Sequence, residues 1–383
     1  MERREFAKTL VTGALGAAAG VAVGRGIHPT EAAAPAAAPA QGKSRPVLIK
    51  VGCQSRNDTS QASCEFLARH GVYHMNPGSM TGKTLADVKR QQDEASKYGI
   101  TVMAYHLTLS SGAITEQNID SPKAQILLAR PGRDRAIEQI QNEIRVAGQA
   151  GVQRLMYNMT ILGVTRSGRT ADPNRGNVSY STWNQAEAYA RGLNKEPTVA
   201  GTVDADTIYE RIKYFLDRVL PVAEEFKVRL GNHIADPPLP VGYRGITRWN
   251  SPDVVAGIRR YAELSRSPSH GFNLCLGSTA EGLKDPAKEI LGVVDYLGPR
   301  NQIVNVHMRN IKGGLGNFQE VYVDNGDMNF IQVMRALHRH AYDGMVMPDH
   351  VPQHAAPGAR DEGFAFSYGY FRAILRMLEL ENA

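Results

Sequence analysis

Eight short β-rich runs, each parted from the next by a longer amphipathic segment, predict an α/β chain closed as a (β/α)8 TIM barrel. A helical pattern at 366–379 follows the eighth run, as a final helix would. The expected strand ends are Cys53, Asn76, His106, Asn158, His233, Cys275, His307 and Asp349. Such a ring of polar side chains fits the mouth of a barrel, where chemistry sits at the C-terminal ends of the strands. An open doubly wound sheet would carry a Gly-rich phosphate turn after its first strand, and none follows here.

In chain order, residues 1–40 stand apart. Arg3-Arg4-Glu5-Phe6-Ala7-Lys8 opens a charged start, 9–24 is weakly apolar, and 31–40 is rich in Ala and Pro. Those are the parts of an export signal, and the start resembles a twin-arginine signal. The apolar part is too short and too rich in Gly and Ala to span a bilayer, so export to the periplasm is expected, with no stable membrane insertion afterwards. The remainder, 41–383, is expected to be a single catalytic barrel.

The strands are expected at 47–53, 72–76, 101–107, 154–159, 228–233, 272–277, 303–308 and 345–349. Each carries β-branched or other apolar residues and is bounded by Gly, Pro, Asn or Asp. Helical spacing marks 85–98, 134–150, 205–226, 252–265, 286–296 and 329–340. Leu216, Leu220, Ala223 and Phe226 recur on one face, and Gly99 and Gly151 stand where helix C-caps belong. The longest connection, 163–203, is rich in Gly, Arg, Asn, Ser and Thr and reads as a lid or excursion over the mouth.

The net charge of +6 over 383 residues is modest and suits steering of an anionic substrate. No Lys/Arg stripe with interleaved aromatics occurs, which argues against nucleic-acid binding. Cys53, Cys64 and Cys275 make an odd count, so at least one thiol stays free. Cys53 and Cys64 read as small buried residues, with a bridge between them left open.

Two glycine motifs carry little. Residues 78–84 look like a phosphate loop, but three residues separate the glycines where four are needed, so this is a loop leading into a helix. Residues 313–317 read as a flexible loop after a strand.

The stretch 228–238 carries more. A β-rich run ends at Asn232-His233, and Pro237 and Pro238 stop it abruptly. Three later runs end in the same way, on Cys275, His307 and Asp349. Two His, one Cys and one Asp from consecutive barrel units form a metal-ligand set. By ligand chemistry alone it suits Zn²⁺ in a tetrahedral site, or Mn²⁺ or Fe²⁺ with positions open to substrate oxygens.

Residues 231–238 (GNHIADPP) are similar to the HPDDPP segment of the mannonate dehydratases, metal-dependent barrels related to xylose isomerase. Residues 271–278 (GFNLCLGS) resemble their G-x-x-x-C-x-G-S, 306–312 (VHMRNIK) their VHLRNVK, and Pro348-Asp349-His350 their PDH. The likeness runs from about residue 47 to the C-terminus and is strongest over 205–350. It implies that His233, Cys275, His307 and Asp349 hold Mn²⁺ or Fe²⁺, and that His350 is the acid or base. Arg309, Asn310, Arg248, Asn158 and His106 are then expected to grip the substrate carboxylate and hydroxyls, since guanidinium and carboxylate pair bidentately. A buried ion pair beneath the mouth is the other role open to Arg309.

Two departures bear on the reaction. Met347 stands where the family has Arg, and Phe364 where it has a Tyr thought to share the proton transfers. The resemblance implies conversion of D-mannonate, a small sugar acid, to 2-keto-3-deoxy-D-gluconate and water. The departures keep a second reaction in view, a metal-dependent sugar isomerase, epimerase or related lyase, and a third role as a non-catalytic metal or carbohydrate binder. Barrels of this kind often form homo-oligomers, although no residue here specifies one.

Overall fold

The computed structural model describes residues 45–383. The export signal expected at 1–40 lies outside them. The expected runs form β1 (Lys50–Cys53), β2 (His74–Met75), β3 (Thr101–Val102), β4 (Ala104–His106) and β5 (Arg154–Tyr157). After an insertion that forms β6 (Gly168–Asp172) and β7 (Val178–Asn184), the sheet resumes with β8 (Arg229–His233), β9 (His270–Cys275) and β10 (Ile303–His307). A hairpin, β11 (Asn310–Gly314) and β12 (Asn317–Val321), precedes the last segment, β13 (Met345–Met347).

The barrel segments pair in parallel in the order β3-β2-β1-β13-β10-β9-β8-β5-β4. Its two edges, β3 and β4, are separated in the chain by Met103 alone. Met103 N–H donates to Met75 on one side, and Leu107 N–H donates to Met156 on the other. The edges are therefore one interrupted strand, and the sheet closes on itself with eight strands, leaving no exposed ladder.

Helices cover the outside. Ala205–Glu225 buries Ile208, Ile212, Phe215, Leu216, Val219 and Ala223 at intervals of three and four, the stripe that faces a core. The helix Arg133–Gln149 ends in a Schellman turn: Gly151, at φ 79°, donates to Gly148 and Val152 donates to Ala147. Residues 78–84 do lead into a helix, which Thr84 and Asp87 open with a reciprocal capping box. The helix Gln61–Arg69 escaped the periodicity reading, and the last helix, Ala359–Glu381, begins earlier than expected. Among the described residues no helix is long and apolar enough to cross a membrane.

Two expectations are corrected and one is filled in. The run at 272–277 stops two residues early: Cys275 is both the last residue of β9 and the N-cap of the short helix Leu276–Ala280. The connection at 163–203, expected as a lid or excursion, carries β6 and β7, which join β11 and β12 in a four-stranded antiparallel sheet. Residues 313–317 are not a flexible loop but the turn of that hairpin. There Gly314 pairs with Asn317, and Gly313 and Gly316 hold φ of 87° and 82°, conformations that favour glycine. The Gly, Ser and Thr of this sheet read as loop, although its Val178, Tyr180, Trp183, Phe318 and Val321 are buried.

Close backbone approach in the barrel gives a test. A Cβ on Gly271 would stand 2.5 Å from the Gln302 carbonyl oxygen on the neighbouring strand. Gly271→Val is expected to destabilise the protein by about 2–3 kcal/mol in urea unfolding, with loss of bound metal following loss of fold.

Candidate active site

Neighbouring strand ends deliver the four expected ligands to one place. His233 ends β8, Cys275 ends β9, His307 ends β10, and Asp349 lies two residues beyond β13. One donor atom from each lies within 4.8 Å of all the others. His233 Nε2 is 3.2 Å from His307 Nδ1, Cys275 Sγ is 3.8 Å from Asp349 Oδ2, and that oxygen is 3.6 Å from His307 Nδ1.

The outer hydrogen bonds select which nitrogens point inward. His233 Nδ1 donates to the Ile234 carbonyl at 2.5 Å, which leaves Nε2 for a cation. His307 Nε2 donates to Gln54 Oε1 at 2.8 Å, which leaves Nδ1. The same Gln54 donates through Nε2 to Asp349 Oδ1 at 3.2 Å, so a single amide orients two of the four. Sequence reading missed Gln54. Its place just after β1, at a strand end of the same ring, was the available signal.

The electrostatics suit a cation. Burial opposes ionisation of Cys275, but the Arg309 guanidinium and the hydrogen bonds of His233 and His307 hold the thiol well below its ordinary range. Burial likewise opposes charge on Asp349, yet His350 and His307 hold its carboxyl well below the usual range. His307 is drawn up to about 9, burial being outweighed by Asp349 and Cys275. Two anionic donors and two imidazoles with inward nitrogens fit a divalent metal, which would displace the proton on His307.

His350 adjoins this group. Its Nδ1 is 3.0 Å from Glu320 Oε1, and its Nε2 is 3.8 Å from Asp349 Oδ2. Glu320 belongs to β12, so the hairpin supplies the imidazole's partner. Burial disfavours the imidazolium, but Asp349 and Glu320 raise its proton affinity to about 10.

Arg309 lies beneath, fully buried. It donates to Asp236 at 2.7 Å, to Ser278 at 2.9 Å and to Glu320, and its Nη1 forms an ion pair with Glu281 at 2.8 Å. Arg166, from the excursion, bonds Asp236 at 2.6 Å, Glu281 at 3.1 Å and Glu320. Two guanidiniums thus face three carboxylates. Burial pushes Glu281 well above the ordinary carboxyl range despite both arginines, whereas Asp236 stays ionised against its own burial. Protonation of Glu281, the direction in which burial pushes it, would balance the charges. Gly277 makes the cluster feasible, since a Cβ there would stand 2.5 Å from Arg309 Nε.

Arg309, Arg248 and Asn310, among the residues expected to grip the substrate, have protein partners of their own. Arg309 takes the buried ion-pair role. Arg248 donates to the carbonyls of Pro237 and Gly163, each at 2.6 Å, and pins the excursion's start to the turn after β8. Asn310 donates to the carbonyls of Val323 and Met328 and accepts from the Met328 N–H. Desolvated donors of this kind find protein partners, and a sequence does not show which.

His106 and Asn158 instead line an open cavity of about 920 Å³ that also reaches Gln54. His106 bonds Asn76 at 3.0 Å, and burial, with the charges of His307 and His233, lowers its proton affinity to about 4. It is a neutral imidazole beside the ligand set. Met347 is buried inside the barrel with Ala104, Met156 and Met345. Phe364 stacks on Tyr368, whose hydroxyl lies 3.3 Å from Ser55 Oγ. All three cysteines are free and buried, which closes the question of a Cys53–Cys64 bridge.

Comparison with known proteins agrees with this geometry. The family model described as D-mannonate dehydratase (UxuA) matches residues 185–382. A mannonate dehydratase of Shouchella clausii is 30% identical over 297 residues, covering 70% of this chain and 76% of that protein. One from Streptococcus pneumoniae is 26% identical over 246 residues, 58% of this chain, and the match spans 64% of its own length. The crystal structure of mannonate dehydratase from Streptococcus suis serotype 2 superposes with a TM-score of 0.70 at 20% identity, covering 86% of this chain and 95% of that one. A D-tagatose 3-epimerase-like protein, TM-score 0.53 at 14% identity, shares the barrel over 88% of this chain and 99% of its own.

Three variants test the site. Gln54→Leu is expected to weaken metal binding about 10- to 100-fold in chelator competition, with the fold retained. Arg309→Met is expected to destabilise the protein by about 3–5 kcal/mol, because it leaves buried carboxylates unpaired. Glu281→Gln, an amide in place of a protonated carboxyl, is expected to shift stability by about 1 kcal/mol or less in the same urea titration.

Proposed function

The chain belongs to the D-mannonate dehydratase family, and we propose that it is a metal-dependent hydro-lyase converting D-mannonate to 2-keto-3-deoxy-D-gluconate and water. The observation that carries this reading is the convergence of His233, Cys275, His307 and Asp349 beside His350 at one barrel mouth.

The reaction removes the proton alpha to a carboxylate and expels a hydroxyl from the next carbon. It therefore needs stabilisation of charge on substrate oxygens and a group that moves a proton. Mn²⁺ or Fe²⁺ held by the four ligands would supply the first requirement. His350 meets the second. With Nδ1 tied to Glu320, Nε2 is the atom that exchanges a proton with the substrate, and the Glu320 bond fixes the ring's orientation. Phe364 carries no hydroxyl and the Tyr368 hydroxyl is engaged with Ser55, so the proposal rests on the imidazole. His106 and Asn158 meet substrate hydroxyls from the cavity wall.

The proposal takes residues 41–383 as one catalytic domain. It also takes the protein to act in the periplasm, supported by the Arg3-Arg4 start and the Ala/Pro-rich stretch behind it.

His350→Asn is expected to retain one metal per chain by elemental analysis while D-mannonate turnover falls about 10²- to 10⁴-fold. Undiminished turnover would remove His350 from the mechanism.

A further inference from the structure

The cavity beside the ligand set has an unusual charge balance. None of its sixteen lining residues is acidic, and two are lysines, Lys83 and Lys123. Hydroxyls from Ser79, Thr81, Thr108, Ser110, Ser111 and Ser121 make up much of the remaining wall. Such a lining suits a polyhydroxylated chain bearing a negative charge.

Lys123 is the more informative of the two. It lies in the short helix Pro122–Leu127 and is 3% exposed. Its ammonium donates to the Ser110 carbonyl at 2.7 Å and to the Gly112 carbonyl. An ammonium has three donors, and those two bonds leave the third without a protein acceptor. Among the described residues no carboxylate pairs with it, whereas Arg166, Arg309 and Arg154 each have one. Burial alone lowers its proton affinity, to about 8. A buried cation without a counter-charge is costly, and a substrate anion in the adjoining space would relieve that cost. The arginines expected to take the carboxylate, Arg309 and Arg248, have their terminal Nη nitrogens bonded to protein oxygens, and their Nε atoms are buried.

We infer that Lys123 binds the anionic group of the substrate and makes this pocket selective for sugar acids over neutral sugars. The inference rests on the dehydratase reading for the identity of the acid, but the anion site itself does not. Lys123 lies outside the stretch matched by the family model, so the assignment comes from this chain's own geometry.

The test uses metal-loaded protein and two probes, D-gluconate and the neutral D-mannitol, with dissociation constants from calorimetry and KM for D-mannonate. Lys123→Met keeps the aliphatic stem. It is expected to weaken D-gluconate and raise KM about 10- to 100-fold, the scale of a hydrogen bond to a charged group. D-Mannitol affinity and metal content should stay within about two-fold, and Lys123→Arg should recover part of the loss. On the wild-type protein, D-gluconate should shield Lys123 from reductive methylation followed by mass spectrometry, a readout that stands even if Lys123→Met does not fold. Unchanged D-gluconate affinity in a folded, metal-replete variant, or equal labelling with and without D-gluconate, would overturn the inference while leaving the dehydratase reading intact. Lys123-dependent D-gluconate binding without D-mannonate turnover would uphold the anion site and sink that reading.

Discussion

The site depends on a cluster of buried charges that must neutralise one another. Arg166 and Arg309 share Asp236, Glu281 and Glu320 in a space from which water is largely excluded. Breaking such a group is far more costly than never having built it, because each removal leaves a desolvated charge behind. The five residues come from the excursion, the turn after β8, the end of the short helix 276–280, the start of the hairpin and its second strand. Their mutual pairing therefore fixes four otherwise separate insertions over one side of the mouth. It also acts on the chemistry directly. Arg309 favours the Cys275 thiolate, with Nη2 3.7 Å from the sulfur, and Glu320 orients His350.

Above that base the ligands are preorganised by bonds made on their far sides. The Ile234 carbonyl holds His233, and Gln54 holds both His307 and Asp349. A divalent metal bound there would meet donors whose rotamers and tautomers are already settled, so less binding free energy would go into ordering them. On the other side lies a cavity with hydroxyls, amides and lysines but no acids. The arrangement separates charges: the thiol and carboxylates gather with the imidazoles of the candidate ligand set, and the lysines line the cavity.

Barrel and ligand set were legible in the sequence because each left a periodic or positional mark. Strand–helix alternation predicted the eight units, and His233, Cys275, His307 and Asp349 each stood where such a run ended. The strands at 168–172 and 310–314 carry little apolar periodicity, whereas the alternation of Val178 and Tyr180 was a mark that the surrounding Ser, Thr, Gly and Asn obscured. Arg309, Arg248 and Asn310 turn out to have protein partners that residue type and position did not reveal, because neither says which way a donor points. For Gln54 the sequence showed only its place just after the strand end at Cys53, and its bonds to His307 and Asp349, far away in the chain, are not written locally. Nor is the lack of a carboxylate partner at Lys123.

We propose that the four ligands and His350 form one metal-dependent dehydratase site. The most direct measurement follows formation of 2-keto-3-deoxy-D-gluconate from D-mannonate as metal-free protein is titrated anaerobically with Mn²⁺ or Fe²⁺. Product formation that rises to saturation at one metal per chain, and that His233→Ala or Cys275→Ala abolishes, is the predicted result. Protein shown to hold one metal per chain yet yielding no product would contradict it.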